Sequence, residues 1–101
     1  DVYKRQWSMG ETAKTVSKDV TIINELGLHA RSAAMIAKMA SRAGSTIWIS
    51  KGDESADASS VMDLLILEGA KGTRLRVTAV DSDDAHILND IINLIEKGFG
   101  E

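Results

Sequence analysis

From Thr15 onward, apolar and polar positions follow regular spacings. Val16, Val20 and Ile22 lie at even spacing among polar neighbours, which predicts a half-buried strand over about 15–23. A loop around Gly27 follows. Ala30–Arg42 is then rich in Ala and Met, with Ala33, Ile36, Ala37 and Ala40 on one helical stripe, and Gly44 stands as its stop signal. Thr46–Ser50 is a β-branched and aromatic run that predicts a strand. A turn at Lys51-Gly52-Asp53-Glu54 leads into a returning strand at Ser55–Ala58. Val61–Leu67 predicts a short helix, with the Ser60…Asp63 spacing of a capping box. Leu75, Val77 and Ala79 alternate with Arg74, Arg76 and Thr78, which predicts a strand polar on one face. Asp81–Asp84 is an acidic helix start suited to the helix dipole. Leu88, Ile91, Ile92 and Ile95 are the buried stripe of a last helix closed by Lys97-Gly98.

This order, βαββαβα, predicts an α+β fold: a four-stranded antiparallel sheet with three helices on one face. The βαββαβ part also fits a ferredoxin-like topology, so strand order stays open. Residues 1–14 are polar and aperiodic and are expected to be a flexible leader, with Met9 a candidate start; residues 15–101 are the domain.

Composition narrows the chemistry. The chain has 101 residues, 44% of them apolar, which suits one domain with a real core. With 15 acidic and 12 basic side chains the net charge is −3, which argues against nucleic-acid binding. No Cys is present, so there is no disulfide framework and no thiol chemistry. Two His are too few for a classical zinc site, and no metal or cofactor is expected. No stretch approaches the length of a membrane span. A cytoplasmic protein is the expectation.

One segment carries chemistry. His29 stands where the loop at Gly27-Leu28 enters the first helix. A helix N-terminus presents unpartnered N–H groups and a partial positive charge, a field that favours the neutral, nucleophilic imidazole and can hold an anion. Arg31 adds a fixed positive charge, and Gly27 permits a tight backbone path. The alternative for these residues alone is an indifferent cap with a solvated Arg nearby.

Gly27-Leu28-His29-Ala30-Arg31-Ser32-Ala33-Ala34 closely resembles the active-site segment of the HPr family, the histidine-containing phosphocarriers of the bacterial phosphotransferase system. The resemblance runs from about Lys18 to Glu101. It takes in the element order, the Ser59-Ser60-Val61-Met62 helix start, the Ala70-Lys71-Gly72-Thr73 turn and the Gly98–Glu101 tail. It implies an HPr-like open-faced β-sandwich and a relay protein rather than a stand-alone enzyme. It also implies that His29 accepts a phosphoryl group on Nδ1 from Enzyme I charged by phosphoenolpyruvate, then passes it to sugar-specific or regulatory acceptor proteins. Arg31 is then the arginine that steadies the phosphorylated state, and the backbone N–H groups of Ala30 and Arg31 hold phosphoryl oxygens. Ala30, Ala34, Lys38, Val61, Met62 and Leu65 match the family's docking surface. Ser60 aligns with the serine phosphorylated by a kinase in some members, although Asp63 one turn on would oppose a phosphate; the plain reading of Ser60 is an N-cap. A monomer is expected.

The sequence departs from the family at Ser32, where Pro is frequent, and at Leu26, where a small or polar residue is frequent. Two other functional readings remain. One is a carrier of the nitrogen-regulatory branch. The other is a ferredoxin-like regulatory or ligand-binding module with His29 as a bystander.

Overall fold

The structure, a computed structural model, describes residues 15–101. The leader assigned to residues 1–14, with Met9, lies outside the described residues. Four strands form one sheet: β1 (Val16–Thr21), β2 (Ile47–Lys51), β3 (Glu54–Asp57) and β4 (Arg74–Ala79). Three helices accompany them: α1 (Ala30–Ala40), α2 (Val61–Ile66) and α3 (Ala85–Glu96). The strand order is β1-β4-β2-β3 and every ladder is antiparallel. The last strand thus inserts between the first two, placing Val77 opposite both Lys18 and Ile49. The hairpin partner β3 is left at an edge. The hydrophobic pattern alone does not choose this order.

The predicted alternation follows from the sheet having one dry face. Val20, Ile47, Ile49, Ala56, Leu75, Val77 and Ala79 are buried beneath the helices, whereas Ser17, Asp19, Trp48, Arg74 and Arg76 point to solvent. Ala33, Ile36, Ala37 and Ala40 of α1 face this layer with Leu88, Ile91, Ile92 and Ile95 of α3. The shorter α2 contributes buried Leu64, with Leu67 buried just beyond it. Met35 and Met39 are half-buried at the rim of the core.

Several ends differ from the pattern by one or two residues. The strand predicted over 15–23 spans Val16–Thr21, because Ile22 pairs instead with the turn before β4: its N–H donates to Thr73 O and its carbonyl accepts from Gly72 N–H. The first helix stops at Ala40 rather than Arg42. There the N–H of Arg42 bonds Met39 O and that of Ala43 bonds Ala40 O, a tightened exit that uses up the last carbonyls.

The acidic stretch is also built differently from a simple helix start. Ser82–Asp84 is a 3-10 turn capped by the Asp81 side chain, which accepts from Asp83 N–H. Asp84 turns inward. Its carboxylate accepts from Gly44 N–H at 2.9 Å and Ser45 N–H at 3.0 Å, tying the exit of α1 to the entry of α3. No helix among the described residues is long and apolar enough to cross a membrane.

Candidate functional site

His29 is the N-cap of α1, with extended backbone (φ −130°, ψ −179°). Its location is set by the loop before it. Gly27 has φ +63°, a left-handed conformation that suits glycine. Leu28 then donates to Gly69 O at 2.7 Å and buries its side chain, so the loop is clamped to the segment following α2. The chain reverses and delivers the imidazole to the surface, 28% exposed, at the start of the helix.

Ser32 does more than fill a helix position. It is fully buried, and its Oγ accepts the His29 backbone N–H at 2.9 Å while lying 3.0 Å from Gly27 O, to which it donates. The His29 side chain in turn faces the Ser32 backbone in a capping-box arrangement. The residue that marks the departure from the resembled pattern therefore supplies its own restraint on the first turn. It replaces the rigidity of a proline ring with a hydrogen bond.

The tail brings a partner that sequence reasoning missed. After α3 the chain coils through Gly98, Phe99 and Gly100, all at positive φ, and Phe99 is buried. This carries Glu101 back to His29, where Nε2 donates to Glu101 Oε2 at 2.8 Å. Glu101 Oε1 accepts from Asn24 Nδ2 at 3.1 Å, and the same amide donates to Gly27 O at 3.0 Å. The hydrogen bond from His29 holds the Glu101 carboxyl below its ordinary range, helped by Asn24 and by the positive field of Arg31 and against a small desolvation penalty. Arg31 lies 3.6 Å from Glu101 Oε2 and is 62% exposed. The polar loop side chain near the ring is thus Asn24, acting through Glu101. Leu26, the position of the second departure, points to solvent.

The remaining candidate residues occupy two neighbouring helices. Ala30 and Arg31 open α1, where backbone N–H groups have no intrahelical partner. Ala34 and Lys38 are exposed along α1. On α2, Met62 is exposed, and Val61 and Leu65 are half-buried against the core. Ile66, exposed on the same short helix, extends the apolar surface and was not anticipated. A spacing of four from Met62 is the signal that places it there. Ser60 is the N-cap of α2 and accepts from Asp63 N–H at 3.2 Å. His86 is exposed on α3.

Comparison with known proteins joins these observations. The family model described as "PTS HPr component phosphorylation site" matches residues 16–97. The phosphocarrier protein HPr of Neisseria meningitidis is 35% identical over 86 residues, covering 85% of this chain and 97% of that protein. The phosphocarrier protein NPr of Escherichia coli K12 is 35% identical over 89 residues, covering 86% and 98%. The crystal structure of an HPr from Thermoanaerobacter tengcongensis superposes with a TM-score of 0.78 at 32% identity, covering 85% of this chain and 97% of that one. An HPr from Bacillus anthracis superposes at 0.75 with 28% identity, over 80% and 96%. A β1-β4-β2-β3 sheet under three helices, a histidine capping the first of them, and agreement in sequence and structure over most of its length make this chain a member of the HPr family of phosphotransferase-system phosphocarriers.

Proposed function

We propose that His29 is the phosphoryl-carrying residue. The observation that supports this most directly is its position as N-cap of α1, with Nε2 engaged by Glu101 and the rest of the ring turned toward the helix start. A phosphoryl group on Nδ1 brings close to two negative charges at pH 7. The first-turn N–H groups of Ala30 and Arg31 and the helix dipole favour that charge. The Arg31 side chain, largely in solvent, is free to move from Glu101 to the phosphoryl oxygens. The protein supplies position and electrostatics, and the covalent chemistry is that of the phosphoramidate.

The donor in this reading is Enzyme I charged by phosphoenolpyruvate, and the acceptors are phosphotransferase-system proteins, sugar-specific or regulatory. Ala30, Ala34, Lys38, Val61, Met62 and Leu65 form the docking surface, where flexible Met and small residues suit several partners. The carrier works as a monomer in the cytoplasm. Relatives named HPr and NPr match at the same 35% identity, which supports the nitrogen-regulatory branch as a second reading of the acceptor. Ser60 is a candidate for kinase control, although its hydroxyl already caps α2 and Asp63 lies beside it.

Intact-mass measurement after incubation with Enzyme I and phosphoenolpyruvate tests the relay. The expected result is a gain of one phosphate that disappears in His29→Ala. No gain under conditions that label a control HPr overturns the reading. Transfer from the labelled protein to sugar-specific and to regulatory acceptors, run in parallel, decides the branch. A cognate serine kinase that leaves no label at Ser60 removes the regulatory role.

A further inference from the structure

We infer that the main-chain N–H of Ser32 is a third donor to the phosphoryl group, beside those of Ala30 and Arg31, and that it changes acceptor from the His29 ring to a phosphoryl oxygen when the ring is charged. The inference rests on the assignment of His29 as the carrier. It concerns the position at which the sequence departs from the resembled pattern, where a proline has no N–H to offer.

The hydroxyl of Ser32 is fully engaged within the protein. Its Oγ accepts the His29 N–H at 2.9 Å, and its one proton is shared between Gly27 O at 3.0 Å and His29 O at 3.2 Å. The side chain therefore holds the first turn and has no proton left for a ligand. The main-chain N–H is in the opposite condition. The hydrogen-bond ladder of α1 opens with Ala33, whose N–H donates to His29 O at 2.8 Å. Among the described residues no backbone carbonyl accepts from the Ser32 N–H. Ala30 and Arg31 are exposed, so their N–H groups can turn to water, whereas Ser32 is 0% exposed. Its N–H faces the His29 side chain in a capping-box arrangement, without a close hydrogen bond. A buried donor so weakly matched costs free energy, and an acceptor arriving on the ring relieves it.

Charging the ring supplies that acceptor. Nε2 is occupied by Glu101, which leaves Nδ1 as the nitrogen turned to the helix start. The new N–P bond forms along the lone pair of this nitrogen as the bond from phosphorus to the donor's leaving atom breaks, its electron pair staying with the donor. Phosphoryl oxygens bearing close to two negative charges then stand where one uncharged nitrogen had faced the N–H. Ser32 keeps its proton, and only the acceptor changes. A hydrogen bond to an ionised acceptor is shorter and about twice as strong as a neutral one. Because the Oγ contacts already fix the turn, the donor meets the charge without reorganisation. This third donor stabilises the phosphorylated state and lowers its tendency to pass the group on.

The test uses 15N-labelled protein phosphorylated by Enzyme I and phosphoenolpyruvate. The Ser32 amide should couple to phosphorus across the hydrogen bond, move downfield on phosphorylation and exchange its proton more slowly. Ser32→Ala, which keeps the N–H, should retain the coupling at position 32. Ser32→Pro, which loses it, should shift the phosphoryl-exchange equilibrium toward phosphorylated Enzyme I by about tenfold relative to Ser32→Ala. Phosphohistidine in the wild type with no coupling and an unmoved Ser32 amide overturns the inference, and this measurement needs no variant to fold. An equilibrium that agrees within about twofold between the two variants overturns it as well. A wild type that takes no phosphate on His29 removes the carrier reading and this inference with it, an outcome distinct from failure of the donor alone.

Discussion

A Cβ added to Gly27 would lie 2.2 Å from the carbonyl oxygen of Gly69 and 3.0 Å from Ala70 Cα. The loop that presents His29 is therefore pressed against the loop that follows α2, with a glycine as the only residue thin enough for the contact. Gly27→Ala adds a backbone clash to a φ of +63°. It is expected to cost more than about 2 kcal/mol. For a domain of this size that lowers Tm by roughly 10 °C or more. Thermal unfolding followed by circular dichroism measures it, and a Tm unchanged by the substitution would show that the two loops separate easily.

Ser32→Ala removes the acceptor of the His29 backbone N–H inside a fully buried position. The expected loss is about 1–3 kcal/mol in urea denaturation, the cost of leaving a buried donor unmatched. Ser32→Pro is expected to restore rigidity in the first turn but not this hydrogen bond, so it should fall between wild type and Ser32→Ala.

Arg31→Ala should leave folding unchanged, because its side chain is 62% exposed and, among the described residues, its ion pair is with Glu101 across 3.6 Å. Phosphoryl transfer should slow by about tenfold or more, the weight of one charge-assisted contact to the phosphoryl group. Stopped-quench transfer kinetics check this, and unchanged rates would remove the assigned role.

Asp84 gives a purely structural prediction. Asp84→Ala strips the acceptor from two backbone N–H groups, those of Gly44 and Ser45, at the junction of α1 and α3. A loss of about 1–3 kcal/mol is expected. Amide exchange at Gly44 and Ser45 should accelerate first, because the exit of α1 loses its tie before the core opens.

Acid should weaken the fold through three carboxylates. The hydrogen bond from Arg76 lowers the Asp19 pKa, bonds from Ser59 lower that of Asp57, and the bond from His29 lowers that of Glu101. A depressed folded pKa means stability that is present above the ordinary values, 3.8 for Asp and 4.5 for Glu, and is lost as pH falls through the lower folded ones. Urea midpoints measured across that window should fall with acidification. In His29→Ala the Glu101 share of the slope should shrink while those of Asp19 and Asp57 persist; an unaltered slope would separate Glu101 from the ring.

The elements and the candidate site were legible in the chain itself, and the physics explains why. Helical and strand periods are local properties: Ile36 with Ala40, or Leu75 with Val77, reveal their faces without knowledge of what covers them. The segment from Gly27 to Ala34 is likewise contiguous, so the turn, the helix start, the histidine and the arginine are read together. Only the tertiary structure decided what lies far apart in sequence. It placed β4 between β1 and β2, turned Asp84 inward to the exit of α1, and set Gly69 against Gly27. It also brought Glu101 to His29 across 72 residues, through a coil anchored by the burial of Phe99. Strand order and that contact depend on which surfaces exclude water from one another. A periodic pattern states that a face will be buried, whereas the partner that buries it is chosen only when the whole chain has packed.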